Sequence, residues 1–219
     1  MASSSPSPEA PYYDRIDPLA IALRLALSSL ADKTVKETLY AADIGLYRGR
    51  ALQVLLAESA ASGMPIKWMA TDTFNGLPAL TDKDRELAPQ GAPYLQRPMF
   101  DDTTVREVVA FLEPTGQLGD VDLIEGPLEE VLAGLPDRKY LFVNISAKLY
   151  RPHTMALDYF YDRMLPGGVI LFDDIFNRRF PMAEAAIEAF MDNKQEQIFQ
   201  LTGNDANGTV KRGFIMRRG

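Results

Sequence analysis

The segment 42–50, Ala-Asp-Ile-Gly-Leu-Tyr-Arg-Gly-Arg, is the first stretch of the chain whose residues suit ligand binding. It follows an apolar run and precedes a helical pattern, and open α/β sheets bind ligands where strands give way to helices. Gly45 would let the backbone approach a ligand closely, and Asp43 could accept a hydrogen bond from an ammonium group. The motif alone leaves a second interpretation open, in which Gly45 and Gly49 only serve the turn.

Asp72 stands 29 residues after Asp43, at the end of the next apolar run. An acidic residue in that place can accept hydrogen bonds from both ribose hydroxyls of a nucleoside cofactor, although a turn or N-cap aspartate is the alternative. The two motifs in this order favour the cofactor. Because the chain has no G-x-x-x-x-G-K-[ST] loop, ATP is a less favoured nucleoside.

His153 is the only histidine of the chain and follows Tyr150-Arg-Pro at a strand-to-helix turn. An imidazole at such a place could act as a general base near neutral pH. The alternative is that His153 only helps to begin the helix.

These residues are positioned by alternating short apolar strands and amphipathic helices, which predict a Rossmann-like, doubly wound α/β sheet with right-handed crossovers. The last two strands are joined by a turn alone, so the mostly parallel sheet should have one antiparallel edge strand. Thr103 or Asp102 is the expected N-cap of the third helix, and residues 79–98 show no periodicity. The strands are predicted at 39–44, 67–71, 121–124, 140–145, 169–172, 197–201 and 209–216, and the helices at 18–30, 50–62, 103–112, 128–132, 154–164 and 181–193.

Composition narrows the class of protein. Residues 1–11 are rich in Ser, Pro and Ala and are expected to form a disordered tail, which leaves one domain over residues 12–219. The net charge of -7 argues against nucleic-acid binding, and the absence of cysteine excludes disulfides and a cysteine nucleophile. No membrane span or signal peptide is indicated, so a cytoplasmic protein is expected. The pairs 211–212 and 217–218 are expected at solvated strand ends.

Five segments together resemble the macrocin O-methyltransferase (TylF-like) family, and the resemblance runs from about residue 37 to 217. They are Asp43-Ile-Gly-Leu-Tyr-Arg-Gly, Ala70-Thr-Asp-Thr-Phe-Asn-Gly-Leu-Pro, Ile124-Glu-Gly-Pro-Leu-Glu-Glu-Val-Leu, Phe142–Tyr150 and Leu165-Pro-Gly-Gly-Val-Ile-Leu-Phe-Asp-Asp. The resemblance implies a class I methyltransferase that uses S-adenosylmethionine and a divalent metal ion to methylate sugar hydroxyls of antibiotics.

The resemblance also implies roles by position. Asp43 and Gly45 would line the methionine and ribose end, and Asp72 would hold the ribose hydroxyls. Asp173 and Asp174 match the family's pair of metal ligands. The remaining expected cofactor contacts are Thr73 and Phe74 near the adenosine, Glu125 and Gly126 around the adenine, and Tyr47.

The strand end at residues 145–150 departs from the family. The family reads I-D-x-D-L-Y, whereas this chain reads Ile-Ser-Ala-Lys-Leu-Tyr, so Ser146 replaces a metal ligand and Lys148 replaces the acid taken as general base. A divalent ion prefers several anionic oxygen ligands, and a nearby ammonium repels it. We therefore expect no metal ion, with Lys148 lying beside Asp173 and Asp174 as their cation. If the family site survived, these two aspartates would be its ligands.

The sequence predicts a metal-independent, S-adenosylmethionine-dependent methyltransferase acting on oxygen of a small molecule, such as a natural product. Lys148, His153 and Asp173 are the candidate catalytic residues. Lys148 would either bind an acidic substrate or, with a depressed pKa, accept its proton. The alternative is a cofactor-binding protein that does not methylate, either a cyclase or isomerase or an inactive homologue. The oligomeric state stays open, with a homodimer as one alternative.

Overall fold

The computed structural model describes residues 17–30, 37–205 and 208–218. The tail predicted over residues 1–11 lies outside these residues, and the domain boundary at residue 12 stays a prediction. In the described part of the chain, no helix is both long and apolar enough to cross a membrane.

Seven strands form one sheet in the order β3-β2-β1-β4-β5-β7-β6. The first five strands of this order are parallel, and β7 runs antiparallel between β5 and the edge strand β6. The predicted fold class is confirmed. The strands are β1 Leu39–Ile44, β2 Ile66–Asp72, β3 Val121–Glu125, β4 Tyr140–Ile145, β5 Met164–Phe172, β6 Phe199–Asp205 and β7 Gly208–Met216.

Helices cover both faces of the sheet, because neighbouring residues of each central strand belong to different apolar clusters. Ala41 and Phe142 pack on one face with the first, second and fourth helices, whereas Ala42 and Val143 pack on the other face with the fifth to seventh. This explains why β4 is buried along its whole length. The helices are α1 Pro18–Ser28, α2 Arg50–Ser62, α3 Asp82–Leu87, α4 Val105–Leu112, α5 Leu128–Gly134, α6 Tyr150–Phe160 and α7 Pro181–Met191.

The register brings the chemistry-bearing turns to one edge of the sheet. Ile44 at the end of β1 pairs with Thr71 of β2 and with Ile145 at the end of β4, and Ile145 pairs with Phe172 at the end of β5. The segments that follow these strands therefore meet above the same edge, as expected for a doubly wound sheet.

Two local features differ from the sequence analysis. The segment without periodicity contains α3, whose six residues are too few to show a helical repeat; Thr81 caps it by a reciprocal hydrogen-bond pair with Asp84. The N-cap of α4 is Thr104 rather than Thr103 or Asp102, because its side chain accepts from the backbone of Glu107, which bonds back to it.

The boundaries of the helix predicted at residues 154–164 also shift. Helix α6 begins at Tyr150 instead of residue 154, since the first turn of a helix leaves its amides without helical partners and thus tolerates Pro152. The chain re-enters the sheet at Met164, so Pro166-Gly-Gly lies within β5 rather than closing a helix.

Candidate functional site

A cavity of about 1180 Å³ opens at this edge of the sheet. Its volume exceeds the range of about 300–1,000 Å³ that is usual for one small ligand, so it has room for a cofactor and a second molecule. Among the residues predicted from the sequence, those lining it are Gly45, Tyr47, Asp72, Thr73, Gly126, Lys148 and Asp173. Those not lining it are Asp43, Phe74, Glu125, His153 and Asp174.

Gly45 is required by the close approach of two strand ends. Its φ is +85°, and a Cβ atom there would lie 2.2 Å from the carbonyl oxygen of Ser146. Its amide donates to the carbonyl of Thr71 at 3.0 Å, so β1, β2 and β4 converge on this one residue. No side chain fits there, which leaves backbone exposed at the cavity wall.

Asp72 joins the turns after β1 and β2 at the end of the cavity where the sequence predicts the cofactor, here called the cofactor end. Its Oδ2 accepts from the amide of Tyr47 at 2.8 Å, and its Oδ1 accepts from the amide of Phe74 at 3.0 Å. Tyr47 and Phe74 both have φ of 48°, a strained value for non-glycine residues that aims their amides at this carboxylate. A carboxylate has about four acceptor positions, so Asp72 keeps capacity for ribose hydroxyls.

Asp43 lies behind this turn and is fully buried. Its Oδ1 accepts from Asn144 Nδ2 at 2.8 Å, and its Oδ2 has no hydrogen-bond partner in the described part of the protein. Burial raises the pKa of Asp43 from 3.8 to about 7, although the Asn144 bond opposes the rise. The unpaired oxygen is an acceptor available to an ammonium donor or to a water molecule that bridges to one.

Gly126 lines the cavity beside Pro127 and Leu128, where the sequence predicts the adenine contacts. Its amide donates to the carbonyl of Asp72 at 3.0 Å. Glu125 is exposed and does not line the cavity. Thr73 lines the cavity and donates to the carbonyl of Gly76 at 2.8 Å, whereas Phe74 packs against the core.

Lys148 occupies the opposite end, where the departure from the family pattern lies. Its Nζ is 2.9 Å from both carboxylate oxygens of Asp174 and donates to Ser146 Oγ at 2.9 Å. Asn177 Nδ2 also donates to Asp174, at 3.1 Å. The lysine therefore lies against the aspartate pair, as the strand-end sequence predicts.

Arg212 is the second cation of this cluster and was missed from the sequence. It is only 6% exposed, so the prediction of a solvated strand end at 211–212 is wrong for this residue. Its Nε donates to Asp173 Oδ1, while Ser146 Oγ donates to Asp173 Oδ2 at 3.2 Å. Gly213 of β7 pairs with Phe172 at the end of β5, which places Arg212 beside Asp173. That register has no local sequence signal.

The cluster holds its groups in their charged forms. Burial alone would raise the pKa of Asp173, but Arg212 and Lys148 lower it below its usual value. Burial alone would lower the pKa of Lys148, but Asp174 and Asp173 raise it above its usual value. Lys148 is therefore an ammonium, and the alternative in which a depressed pKa makes it a base is wrong.

His153 lies away from the cavity. It is completely buried, and its Nδ1 is 2.9 Å from the carbonyl oxygen of Leu149 in the preceding helical turn. Burial lowers its pKa, which favours the neutral imidazole. In this position His153 cannot touch a substrate in the cavity, and its observed contact is with the start of α6.

The fit of the acidic pair to a divalent ion is poor. Asp173 and Asp174 each face a cation, and the family's two other acidic positions hold Ser146 and Lys148. Within the described residues, no group of three or more His, Cys, Asp or Glu side chains could hold a metal ion. Hard cations usually take several oxygen ligands with carboxylates among them, and here both carboxylates already have counter-ions.

Solved structures with the same fold include several methyltransferases. The O-methyltransferase NovP matches with a TM-score of 0.70 and 15% identity, over 92% of this chain and 78% of NovP. CalS11, a calicheamicin methyltransferase, matches with a TM-score of 0.66 and 18% identity, over 90% of this chain and 77% of CalS11. An O-methyltransferase from Bacillus cereus in complex with SAH matches with a TM-score of 0.58 and 12% identity, over 94% and 83% of the two chains.

A search of curated protein sequences gives no match. The family model described as macrocin-O-methyltransferase (TylF), however, matches residues 22–209, which include every part of the cavity except Asp17, Leu19 and Arg212. Together with the fold, this match shows that the chain belongs to the macrocin-O-methyltransferase (TylF) family of S-adenosylmethionine-dependent O-methyltransferases.

Proposed function

We propose that the protein transfers the methyl group of S-adenosylmethionine to an oxygen of a small natural-product molecule without a divalent metal ion. The observation that carries the proposal is the position of Lys148 Nζ, 2.9 Å from both oxygens of Asp174 and 2.9 Å from Ser146 Oγ. In this proposal, Lys148 and Arg212 supply the positive charge that a metal would supply.

Electrostatics supports the absence of a metal. Two unit charges 4 Å apart interact by about 4 kcal/mol at an intermediate effective dielectric, and a divalent ion doubles this repulsion from an ammonium. An incoming ion would also have to displace Arg212 from Asp173 and Lys148 from Asp174. The loss of two ion pairs adds to the repulsion.

The cofactor is proposed to bind along the other half of the cavity. Gly45 would give its backbone to the methionine end, Asp72 would accept from the ribose hydroxyls, and Gly126 would border the adenine. Tyr47 and Thr73 line the same half and would complete the contacts. The cofactor supplies a methyl group on a sulfonium, and transfer by in-line displacement depends on alignment above all.

Membership of the family supports methyl transfer over the non-methylating alternative. Mass-spectrometric detection of S-adenosylhomocysteine distinguishes the two functions when the protein is incubated with S-adenosylmethionine and candidate acceptors. Product that depends on the acceptor supports methyl transfer. A cytoplasmic location and a homodimer stay predictions, which cell fractionation and light scattering would test.

Metal independence is tested by the same assay with EDTA and with added magnesium, and by calorimetric titration of magnesium. We expect unchanged turnover and no stoichiometric binding. The control is a variant with Ser146→Asp, Lys148→Asp and Arg212→Met, which restores the two acids and removes both cations. Magnesium binding by the variant but not by the wild type supports the proposal, whereas loss of wild-type activity in EDTA contradicts it.

A further inference from the structure

We infer that the methyl acceptor is an acidic oxygen, that of a phenol or a carboxylic acid on an apolar frame, which meets the cofactor already ionised. This inference rests on the proposed function and names its substrate class. It follows from which groups at the cavity are able to remove a proton and which are able to hold an oxyanion.

Within the described residues, no carboxylate that lines the cavity is without a hydrogen-bond or ion-pair partner, so none is a free general base for the acceptor. Five carboxylates line the cavity. Asp84 accepts from Thr81 and from the amide of Tyr150, and Asp173 accepts from Arg212 and Ser146. Asp72 accepts from two backbone amides, and Asp17 accepts from the amide of Leu19 and lies 3.8 Å from Arg212. Glu129 forms an ion pair with Arg151.

This lack of a base matters for the choice of acceptor. A positioned general base contributes about 10²–10⁴-fold to a reaction that needs a proton removed. A sugar hydroxyl is weakly acidic and would lose that contribution here. A phenol or carboxylic acid gives its proton to solvent and needs no base.

The ammonium of Lys148 is placed to hold the resulting oxyanion. The Lys148 side chain lines the cavity and is 20% exposed, whereas its partner Asp174 is 3% exposed and does not line the cavity. The cation therefore forms the wall and its counter-charge lies behind it. Asp173 faces the same space, but Arg212 and Ser146 bind both of its oxygens.

The balance of charge around the whole cavity agrees with an anionic acceptor. Five described cations and the five carboxylates line the cavity, so the formal charges of the lining side chains sum to zero. A bound sulfonium adds one positive charge, and an acceptor with one negative charge restores neutrality. The cations are Arg48, Arg50, Lys148, Arg151 and Arg212.

Apolar groups beside Lys148 suit an aromatic frame. The Phe100 ring centre is 5.9 Å from Lys148 Nζ, and its edge packs against Tyr47 with ring centroids 5.2 Å apart. Leu77 and Met155 also line the cavity. An aryl ring could pack there with its oxygen directed toward the ammonium.

The reaction then balances simply. The acceptor O–H releases its proton to water before transfer. A lone pair of the oxyanion forms a bond to the methyl carbon as the carbon–sulfur bond breaks, and that electron pair stays on sulfur. The products are a methyl ether or ester and S-adenosylhomocysteine, and the protein gains and loses no proton.

The test uses 4-nitrophenol, whose phenolate absorbs visible light, bound to the full-length protein loaded with S-adenosylhomocysteine. Absorbance against pH gives the pKa of the bound phenol. We expect that pKa to fall by at least about one unit, a tenfold preference for the phenolate. Lys148→Met combined with Asp174→Asn should abolish the shift without leaving a buried carboxylate unpaired, and Lys83→Met, at an exposed lysine, should leave it unchanged.

Three outcomes separate this inference from the proposed function. Phenol methylation without methylation of a methyl rhamnoside supports the inference. Methylation of the rhamnoside alone, or failure of 4-nitrophenol to bind or to shift, overturns it while leaving the proposed function in place. Failure of S-adenosylhomocysteine itself to bind in calorimetry overturns the proposed function.

Discussion

The two ends of the cavity are built by different means. At the cofactor end, backbone geometry does the positioning: a glycine without room for a side chain, and Asp72 on two amides from strained residues. At the acceptor end, Lys148 and Arg212 hold Asp174 and Asp173 through side-chain ion pairs. Side-chain charges change by single substitutions without moving the backbone, so one end can be rewired while the other stays intact.

Gly45→Ala should break the cofactor end and have the largest effect. A Cβ atom would meet the carbonyl of Ser146 at 2.2 Å in a left-handed conformation, so two strand ends must separate. We expect a loss of about 3–5 kcal/mol in unfolding free energy and loss of cofactor binding. Gly63→Ala is the matched control, since its φ is +66° with nothing within 4 Å, and should cost only about 1–2 kcal/mol. Equal losses by chemical denaturation would show that the close approach is unimportant.

Asp43→Asn should increase the unfolding free energy at alkaline pH, because an ionised Asp43 is buried in the folded protein. The pKa of Asp43 is raised by burial from 3.8 to about 7, so the folded state keeps a proton that the unfolded state loses, and stability falls as the pH rises through that window. Asparagine still accepts from Asn144 but does not ionise. At pH 8 the variant should be more stable by up to about 4 kcal/mol, and at pH 4 equal to wild type.

Thermal or urea unfolding at both pH values measures this effect, with Asp120→Asn at an exposed ion pair as the control. A pH dependence that persists in Asp43→Asn would assign it to another group. Weaker cofactor binding by the same variant would support Asp43 as an acceptor for the ammonium group.

Lys148→Ala should disturb the acceptor end by leaving Asp174 almost buried beside Asn177 alone. Removing one partner of a buried pair costs about 3–5 kcal/mol, and the partial exposure of Lys148 reduces this to about 2–3 kcal/mol. Adding Asp174→Asn should recover most of the loss. Lys83→Ala, in an exposed pair, should cost less than about 1 kcal/mol. If the double variant is no more stable than Lys148→Ala, the unpaired carboxylate is not the cause.

Asp72→Ala tests the cofactor end by its effect on the free energy of cofactor binding. The loss of hydrogen bonds to a ligand should weaken cofactor binding by about 1–3 kcal/mol in calorimetry. Glu125→Ala, at an exposed residue outside the cavity wall, should change binding by less than about 0.5 kcal/mol. A large effect of Glu125→Ala would show that this side chain reaches the cofactor after all.

Local patterns were enough to predict the sheet and the turns after β1 and β2, and the family resemblance was needed to predict the contact of Lys148 with the aspartates. Those features depend on neighbours in sequence or on parallel strands whose ends coincide. Arg212 could not be found in this way, because its contact with Asp173 depends on the antiparallel register of β7 against β5, 39 residues apart in sequence. The burial of His153 likewise follows from the early start of α6, which no local signal indicates.

The dependence of the Arg212 contact on register has a consequence for folding fidelity. A shift of β7 by one residue would bring Gly213 or Lys211 beside the end of β5 and turn each side chain of the strand to the other face. The partly buried Asp173 would then lose its guanidinium partner, while Phe214 and Ile215 would exchange faces. The ion pair therefore destabilises misaligned pairings of β7 with β5. Arg212, which lines the cavity, thus also helps the β6–β7 hairpin to adopt its native register.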